Sequence, residues 1–224
     1  ASTNAVIANS AGAVTASTTA TTAEAATIAA FGQAVVYNVS GTAAEIAAAS
    51  AGARNEAVNI TITGDATIAQ ATTAEDATNS GTVTVGTISD TATLIAASTN
   101  AVIANSAGAV TASTAATVAE ATTIDAFAKA VVFAVSDTAT AIAASSNDAL
   151  DEATTVTAST TATVAEATTI DAFAKAVVFA VSDTATAIAA SSNDALDEAT
   201  TVTASTTATV AEATTIDAFA KAVV

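Results

Sequence analysis

The chain has 224 residues and a formal net charge of −17, and it contains no Cys, His, Met, Trp or Pro. Without Cys and His it can form no disulfide, no thiolate or imidazole metal site, no cysteine nucleophile and no Ser-His-Asp triad. Four Lys and Arg stand against 21 Asp and Glu, so we expect no nucleic-acid partner and no membrane insertion.

An internal repeat of 46 residues dominates the chain. Residues 113–178 overlay on residues 159–224 with a single difference, and residues 2–18 recur unchanged as residues 98–114. Self-similarity of this kind is typical of solenoids. We expect one continuous domain, with repeat units at 13–58, 59–108, 109–154 and 155–200 and partial units at 1–12 and 201–224.

Each repeat divides into two similar halves of about 23 residues. Alternation of apolar and other residues predicts a strand near 155–158 in one half and near 177–181 in the other. An alanine-rich stretch with helical spacing of its apolar residues follows each strand, over residues 160–176 and 183–199. Each half therefore predicts one strand and one helix.

These patterns predict an α/β solenoid of strand–helix coils, two per 46-residue repeat, with a parallel sheet on one side and helices on the other. One coil buries too little surface to offset its chain entropy, so stability would come from stacking. The threonine content of residues 160–176 leaves an all-β solenoid, or β-helix, as the alternative. Because the chain begins and ends inside a repeat, we expect a window of a longer array.

Aromatic residues recur at two positions of the repeat and predict one shared layer of the core. In the second copy both positions lose their rings together, to Ala77 and Gly86, and extra residues follow near 79–81. We expect this copy to be the least regular. The core-stacking rings are Phe31, Phe127, Phe173 and Phe219 in one row and Tyr37, Phe133 and Phe179 in the other.

Two acidic groups are the candidate metal sites. Asp148 and Glu152 lie four residues apart, which places like charges on one helix face where a cation would help. The sequence lacks a glycine-bearing calcium loop, so the expectation is no cofactor, or weak calcium binding. The groups are Asp148, Asp151 and Glu152, and their repeat at Asp194, Asp197 and Glu198.

Three further rows of polar residues follow the repeat. One row of acids predicts a solvated face, a second predicts caps on the helices that follow it, and a row of threonines suggests ice binding. Asn38, Thr87, Ala134 and Ala180 would interrupt the threonine row. The rows are Glu24, Glu120, Glu166 and Glu212; Asp90, Asp137 and Asp183; and Thr15, Thr61, Thr111, Thr157 and Thr203.

Residues 136–144 (SDTATAIAA) alternate with residues 156–170 (VTASTTATVAEATTI). The alternation resembles the repeats of very large secreted or surface proteins of cyanobacteria and some proteobacteria, and residues 60–73 (ITITGDATIAQATT) are most similar to that pattern. The resemblance implies export and a structural or adhesive role. It supplies no catalytic residues.

The sequence thus predicts a structural, non-enzymatic repeat protein at the cell surface or outside the cell. It would form a filament, a rod or a surface layer (S-layer) by coil stacking and by association with copies of itself, end to end or side by side. One alternative is the stalk of an adhesin, with a binding domain elsewhere. A minor alternative is an ice-binding solenoid.

Overall fold

A computed structural model of the chain describes residues 4–146 and 148–224. The chain divides into two compact units. Unit 1 extends to Ser113 and includes Phe127–Val131, and unit 2 holds Thr114–Ala126 and Val132–Val224.

Short strands alternate with short helices throughout the described residues. The strands are β1 (Val14–Thr15), β2 (Val35–Val36), β3 (Val39–Thr42), β4 (Ile60–Ala66), β5 (Val83–Asp90), β6 (Val110–Ala112), β7 (Val131–Val132), β8 (Val135–Asp137), β9 (Val156–Ala158), β10 (Val177–Val178), β11 (Val181–Asp183) and β12 (Val202–Ala204). The helices are α1 (Asn4–Ala8), α2 (Thr22–Ala29), α3 (Ala43–Ala48), α4 (Ala51–Asn55), α5 (Ile68–Glu75), α6 (Ala92–Ala96), α7 (Asn100–Ala104), α8 (Val118–Asp125), α9 (Ala139–Ala143), α10 (Asp148–Asp151), α11 (Val164–Asp171), α12 (Ala185–Ala189), α13 (Asn193–Asp197) and α14 (Val210–Asp217).

The two halves of the repeat differ in their helices. An A half-repeat has one helix of eight residues, and a B half-repeat has two helices of four to six residues. The A half-repeats are 13–34, 59–82, 109–130, 155–176 and 201–222, and the B half-repeats are 35–58, 83–108, 131–154 and 177–200.

The prediction of one helix over residues 183–199 is therefore wrong. Helix α12 ends at Ala189, the Ser191 side chain donates a hydrogen bond to the carbonyl of Ile188, and Ser192 is extended. A serine hydroxyl that bonds to the backbone in this way competes with continuation of the helix. The Ser-Ser pair thus divides the predicted helix into α12 and α13.

The strands pair in parallel with strands from the neighbouring half-repeats. In unit 1, β3, β4, β5 and β6 form consecutive parallel pairs, with partners such as Val39 and Ile60 separated by 21 to 23 residues. A helix crosses between parallel strands, which is the connection that parallel pairing needs. The fold is α/β, as predicted, and the all-β alternative is wrong.

In unit 2 the strands form staggered ladders instead of one straight ladder. Val156 of β9 pairs with Val135 on one side and with Val177 on the other. Val181, four residues further along, bridges to Ala162 and pairs with Val202. The pairing therefore shifts along the strand within each B half-repeat.

Two of the long helices each pack against a short helix on either side. Helix α11 contacts α9 of the preceding B half-repeat and α13 of the following one. Helix α5 contacts α3 and α7 in the same way. Alanines such as Ala71, Ala121 and Ala167 are completely buried and let the helices approach closely without loss of rotamer entropy.

The second copy is irregular at one point only among its described strands, and its strands are the longest. The β4–β5 register shifts between Ile62 and Asp65, around Gly64, whose φ of +78° lies in the left-handed region that favours glycine. A Cβ on Gly86 would lie 2.6 Å from the Gly64 carbonyl oxygen. Backbone from the bulge therefore packs closely against Gly86, and Val85 beside it is completely buried.

Candidate stacking interface at the helix starts

The A-type helices all begin with the same side-chain arrangement. The first amides of a helix have no partner within the helix, so side chains must supply one. In α11 the Thr163 amide donates to Oε2 of Glu166 (2.8 Å), and the Glu166 amide donates to Oγ1 of Thr163 (3.3 Å). This reciprocal pair is a capping box. It recurs at Thr21/Glu24, Thr67/Gln70, Thr117/Glu120 and Thr209/Glu212.

The glutamate row is therefore more than the solvated face that the sequence analysis expected. Each glutamate of the row holds the N-terminus of its own helix. The sequence signal was present, because Thr-x-x-Glu before an apolar run is the signature of a capping box.

An aspartate from the following half-repeat adds a second cap to each of three A-type helices. The amide of Val164 donates to Oδ2 of Asp183 (3.0 Å), while the amide of Thr184 donates to Oδ1 of the same carboxylate (2.7 Å). The first residues of α8 and α5 make the same bond, from Val118 to Asp137 (3.0 Å) and from Ile68 to Asp90 (2.9 Å).

The prediction that these aspartates cap the helices that follow them is thus only partly correct. The N-cap of α12 is Thr184. One carboxylate oxygen of Asp183 accepts from the Thr184 amide, and the other accepts from the amide of Val164, 19 residues earlier in the chain. Each of these carboxylates therefore links two consecutive half-repeats.

The first helices of the last two B half-repeats, α9 and α12, are also hydrogen-bonded to the half-repeat that follows. The amide of Ala139, at the start of α9, donates to Oγ1 of Thr160 (3.0 Å). The hydroxyl of Thr140 donates to Oε1 of Glu166 (2.6 Å). The next repeat shows both bonds again, from Ala185 to Thr206 (3.0 Å) and from Thr186 to Glu212 (2.6 Å).

These hydrogen bonds lower the pKa of the glutamates. The pKa of Glu166 lies below its ordinary value, first because of the Thr140 hydroxyl and then because of the Thr163 amide. The pKa of Glu212 is lowered by Thr186 and Thr209 in the same order. The ionised carboxylate is the form that holds the helix start.

Where an A-type helix packs on a B-type helix, a larger side chain on one helix accompanies a smaller side chain on the other. Ile170 of α11 and Ala195 of α13 are buried in the helix pair of one repeat, whereas Ala74 of α5 and Val102 of α7 have the equivalent positions in another. A large residue on the A-type helix accompanies alanine on the B-type helix, and alanine accompanies valine. The pairs Ile28/Ala53 and Ile124/Ala149 follow the first pattern.

The structure buries one row of predicted core rings more deeply than the other. Tyr37, Phe133 and Phe179 are 2–3% exposed. The Tyr37 hydroxyl donates to the carbonyl of Ala53 (3.0 Å), and burial, followed by the nearby charge of Glu56, raises the pKa of Tyr37 to about 12. Half-buried rings form the other row, at Phe31, Phe127, Phe173 and Phe219. A layer shared by both rows stays a prediction.

The candidate calcium residues lie on and just after the second helix of the last two B half-repeats. They are exposed, and no group of three or more carboxylates that could hold a metal ion is found in residues 4–146 and 148–224. Calcium binding stays a prediction that a titration can test. The residues are Asp148, Asp151 and Glu152, and Asp194, Asp197 and Glu198.

The threonine row has different neighbours from those expected. Thr157 pairs with Ser136 on one side and with Val178 on the other, and Val178 is 52% exposed. The residues Asn38, Thr87, Ala134 and Ala180 were assigned to this place wrongly, because the shift in pairing within the B half-repeats moves the register. The row is a mixture of threonine, serine and valine.

In unit 1 a row of asparagine and threonine side chains forms hydrogen bonds from one half-repeat to the next. Unit 2 joins its half-repeats with other hydrogen bonds. Oδ1 of Asn38 accepts hydrogen bonds from the backbone amide and the side-chain amide of Asn59 (3.2 and 2.9 Å). Oδ1 of Asn59 in turn accepts from the amide and hydroxyl of Thr82. In unit 2 the Thr200 hydroxyl donates to the carbonyl of Phe179 (2.8 Å).

The described residues therefore define an α/β tandem-repeat protein whose polar side chains join consecutive half-repeats. Comparison with protein-family models, with curated proteins and with solved structures found no match. Every helix among the described residues falls short of the length and apolar character that crossing a lipid bilayer takes.

Proposed function

We propose that the protein is a structural, extracellular repeat protein in which strand–helix coils stack into an α/β solenoid. Copies would associate into a filament, a rod or a surface layer. The observation that carries the proposal is the recurring set of hydrogen bonds from a helix start to the next half-repeat, such as Val164 to Asp183 and Ala185 to Thr206. Bonds of this kind hold successive coils in register.

The regular recurrence of the polar side-chain contacts supports a mechanical role and not a catalytic one. The capping boxes and the Asp183-type bonds recur with the repeat, so the same side chains do the same work in successive copies. An enzyme needs catalytic groups that converge at one site. We therefore propose no catalytic activity for the chain.

Charge supports association that depends on cations. With a net charge of −17, two rods would repel each other at low salt and approach when cations screen them. Copies of the chain are the proposed partners. The proposed location outside the cell rests on the resemblance to secreted and surface repeats.

Electron microscopy of the purified chain, at low salt and with added cations, tests this proposal. Elongated particles that associate into filaments or lattices would support it, and single projecting fibres would favour an adhesin stalk. Compact particles that never associate would contradict it. The matched control is the chain with Asp137→Ala and Asp183→Ala, which lacks two of the bonds between half-repeats.

Two solution measurements test the remaining alternatives. Thermal unfolding with and without millimolar calcium tests whether the exposed carboxylates near Asp148 and Asp194 bind a structural ion. An increase in unfolding temperature that Asp148→Asn abolishes would support calcium binding. Thermal hysteresis in a dilute solution would instead support the ice-binding alternative.

A further inference from the structure

The strands of unit 2 share a pattern in which a buried valine is followed by a residue on the opposite face of the sheet. Val177 is 9% exposed, whereas Val178 beside it is 52% exposed. Successive side chains of a strand point to opposite faces, so the residues that follow the buried valines lie together on the side away from the core. This outer sheet face of unit 2 consists of Val132, Ser136, Thr157, Val178, Ser182 and Thr203.

The outer sheet face carries no charge, although the chain as a whole is strongly acidic. Helices α8, α10, α11, α13 and α14 of unit 2 each carry two acidic residues and no basic residue. The aspartates that end β8 and β11, Asp137 and Asp183, have both carboxylate oxygens bound to backbone amides at helix starts. The charge of unit 2 therefore lies on its helices and at their ends.

An exposed valine recurs on the strands in step with the repeat. The second residue of a B half-repeat is 47% exposed at Val36, 48% at Val132 and 52% at Val178. The pairing of Thr157 with Val178 recurs in unit 1 as Thr15 with Val36. Sheets of parallel strands usually have both of their faces covered. A recurring exposed valine on such a sheet therefore points to a partner that covers it.

We propose that the outer sheet face of unit 2 is the surface through which two copies of the chain associate side by side, sheet against sheet. The inference rests on the proposed self-association and identifies the surface that makes the contact. Methyl groups of Val132, Thr157 and Val178 would leave water at this contact, and removing apolar surface from water favours association.

Charge selects the sheet of a second copy as the occupant. With a net charge of −17, two copies repel each other, and a contact between helices would bring carboxylates of the same sign together. A contact between helices and a sheet would remove carboxylates from water without a partner, which is costly. A contact between two uncharged sheet faces avoids both costs.

The repeat strengthens a contact that is weak in any one copy. One pair of valines contributes little, but identical contacts made along two aligned arrays act together, because each contact holds the next pair close. Salt should favour the association, since it screens the repulsion between the acidic helices without weakening an apolar contact.

Two pairs of lysine substitutions in the full chain test the proposal. Val132→Lys with Val178→Lys places charge on the outer sheet face, and Thr123→Lys with Thr169→Lys places the same charge on exposed positions of α8 and α11. Both variants change the net charge equally. In sedimentation velocity at high salt we expect association of the sheet variant to be at least about tenfold weaker, and that of the helix variant to be unchanged or stronger.

A milder variant keeps the test decisive if the lysines disturb folding. Val132→Thr with Val178→Thr retains a β-branched side chain, and threonine has this position naturally at Thr84. It should remain folded by circular dichroism and should associate more weakly than the parent chain, though less so than the lysine variant.

Thiol protection locates the contact directly, because the chain contains no Cys. Under associating conditions the thiol of a Val178→Cys chain should be alkylated about tenfold more slowly than in the monomer, while the thiol of a Thr169→Cys chain should react at an unchanged rate. Equal association of both lysine variants, or an unprotected thiol in the Val178→Cys chain, would overturn this inference and leave the proposed function standing. A chain that stays monomeric at every salt concentration would overturn both.

Discussion

Two B half-repeats solve the same packing problem in different ways. In residues 177–200 the ring of Phe179 is buried between two short strands, whereas in residues 83–108 the equivalent residue is Gly86 on the eight-residue strand β5. The bulge at Gly64 brings backbone to within 2.6 Å of the place where a Cβ of Gly86 would lie. The two B half-repeats thus differ at this place, with a buried ring at Phe179 and closely packed backbone around Gly86.

The two half-repeats show that the same region of the core can be packed by different sets of residues, which change together. Loss of both rings in the second copy comes with a bulge, longer strands, the asparagine ladder of Asn38 and Asn59, and the Ala74/Val102 pair. Changes that affect one member of such a set should therefore be costly, and the cost should differ between the two regions.

The largest expected loss of stability follows from removing the buried ring of Phe179. Phe179→Ala should lower the free energy of unfolding by about 3–5 kcal/mol, since removing a ring that is 3% exposed leaves a cavity in the core. The half-buried Phe173→Ala is the control and should cost clearly less. Denaturant unfolding measures both, and an equal loss would show that Phe179 does not fill a distinct layer.

The second largest expected loss of stability is at a glycine that lies against neighbouring backbone. The chain contains a matched pair of glycines that tests it. Gly12 and Gly108 lie in identical sequence, but a Cβ on Gly108 would lie 2.8 Å from the Gly86 carbonyl oxygen, whereas a Cβ on Gly12 would have nothing within 4 Å. Gly108→Ala should cost about 1–3 kcal/mol, and Gly12→Ala should be nearly neutral. Thermal unfolding of the two variants measures the difference, which vanishes if unit 1 does not pack through its backbone.

The aspartate cap should have a smaller effect that is shared by two half-repeats. Asp183→Ala removes the acceptor for the Val164 and Thr184 amides and should cost about 0.5–2 kcal/mol. Amide hydrogen exchange should show loss of protection at the starts of both α11 and α12. Exposed Asp194→Ala is the control. Faster exchange at α12 alone would contradict a bond between half-repeats.

The smallest expected effect is a loss of stability in acid, when the glutamates at the helix starts become protonated. Because the folded-state pKa values of Glu166 and Glu212 are below the ordinary value of 4.5, their stabilisation is present above that value and is lost as the pH falls through the folded pKa. Glu166→Gln with Glu212→Gln should flatten the acid side of the stability profile, since Oε1 of Gln70 already accepts from the Thr67 amide (3.0 Å).

Glu75 in unit 1 is the control with the opposite sign. Burial raises the pKa of Glu75, although Asn105 donates to both of its carboxylate oxygens (3.0 Å each). Its contribution to stability is therefore present at low pH and is lost as the pH rises through its folded pKa. Glu75→Gln should leave stability at neutral pH unchanged or higher, and a clear loss there would contradict this assignment.

Periodicity made the α/β class and the alternation of strands and helices predictable from the sequence. The strands near Val156 and Val177 and a helix within residues 160–176 were predictable, because each depends on local spacing of apolar residues, although α11 occupies only Val164–Asp171 of that stretch. The capping boxes were equally local, and reading Thr163 with Glu166 would have found them.

Features that depend on contacts between half-repeats were not predictable in this way. The bond from Val164 to Asp183 joins residues 19 positions apart, and it forms only when two half-repeats pack together. The backbone that replaces a ring at Gly86 depends on a bulge in the preceding half-repeat. Such features follow from packing, which a local pattern does not contain.

Stacking of coils is the central claim, and a series of chains with added repeats tests it most directly. Residues 155–200 would be inserted once, twice and four times, and small-angle X-ray scattering would measure the longest dimension and the cross-section. Two further coils at the spacing of adjacent strands should lengthen the particle by about 10 Å per insertion, with a constant cross-section. A cross-section that grows with each insertion, as in a compact globule, would contradict the account.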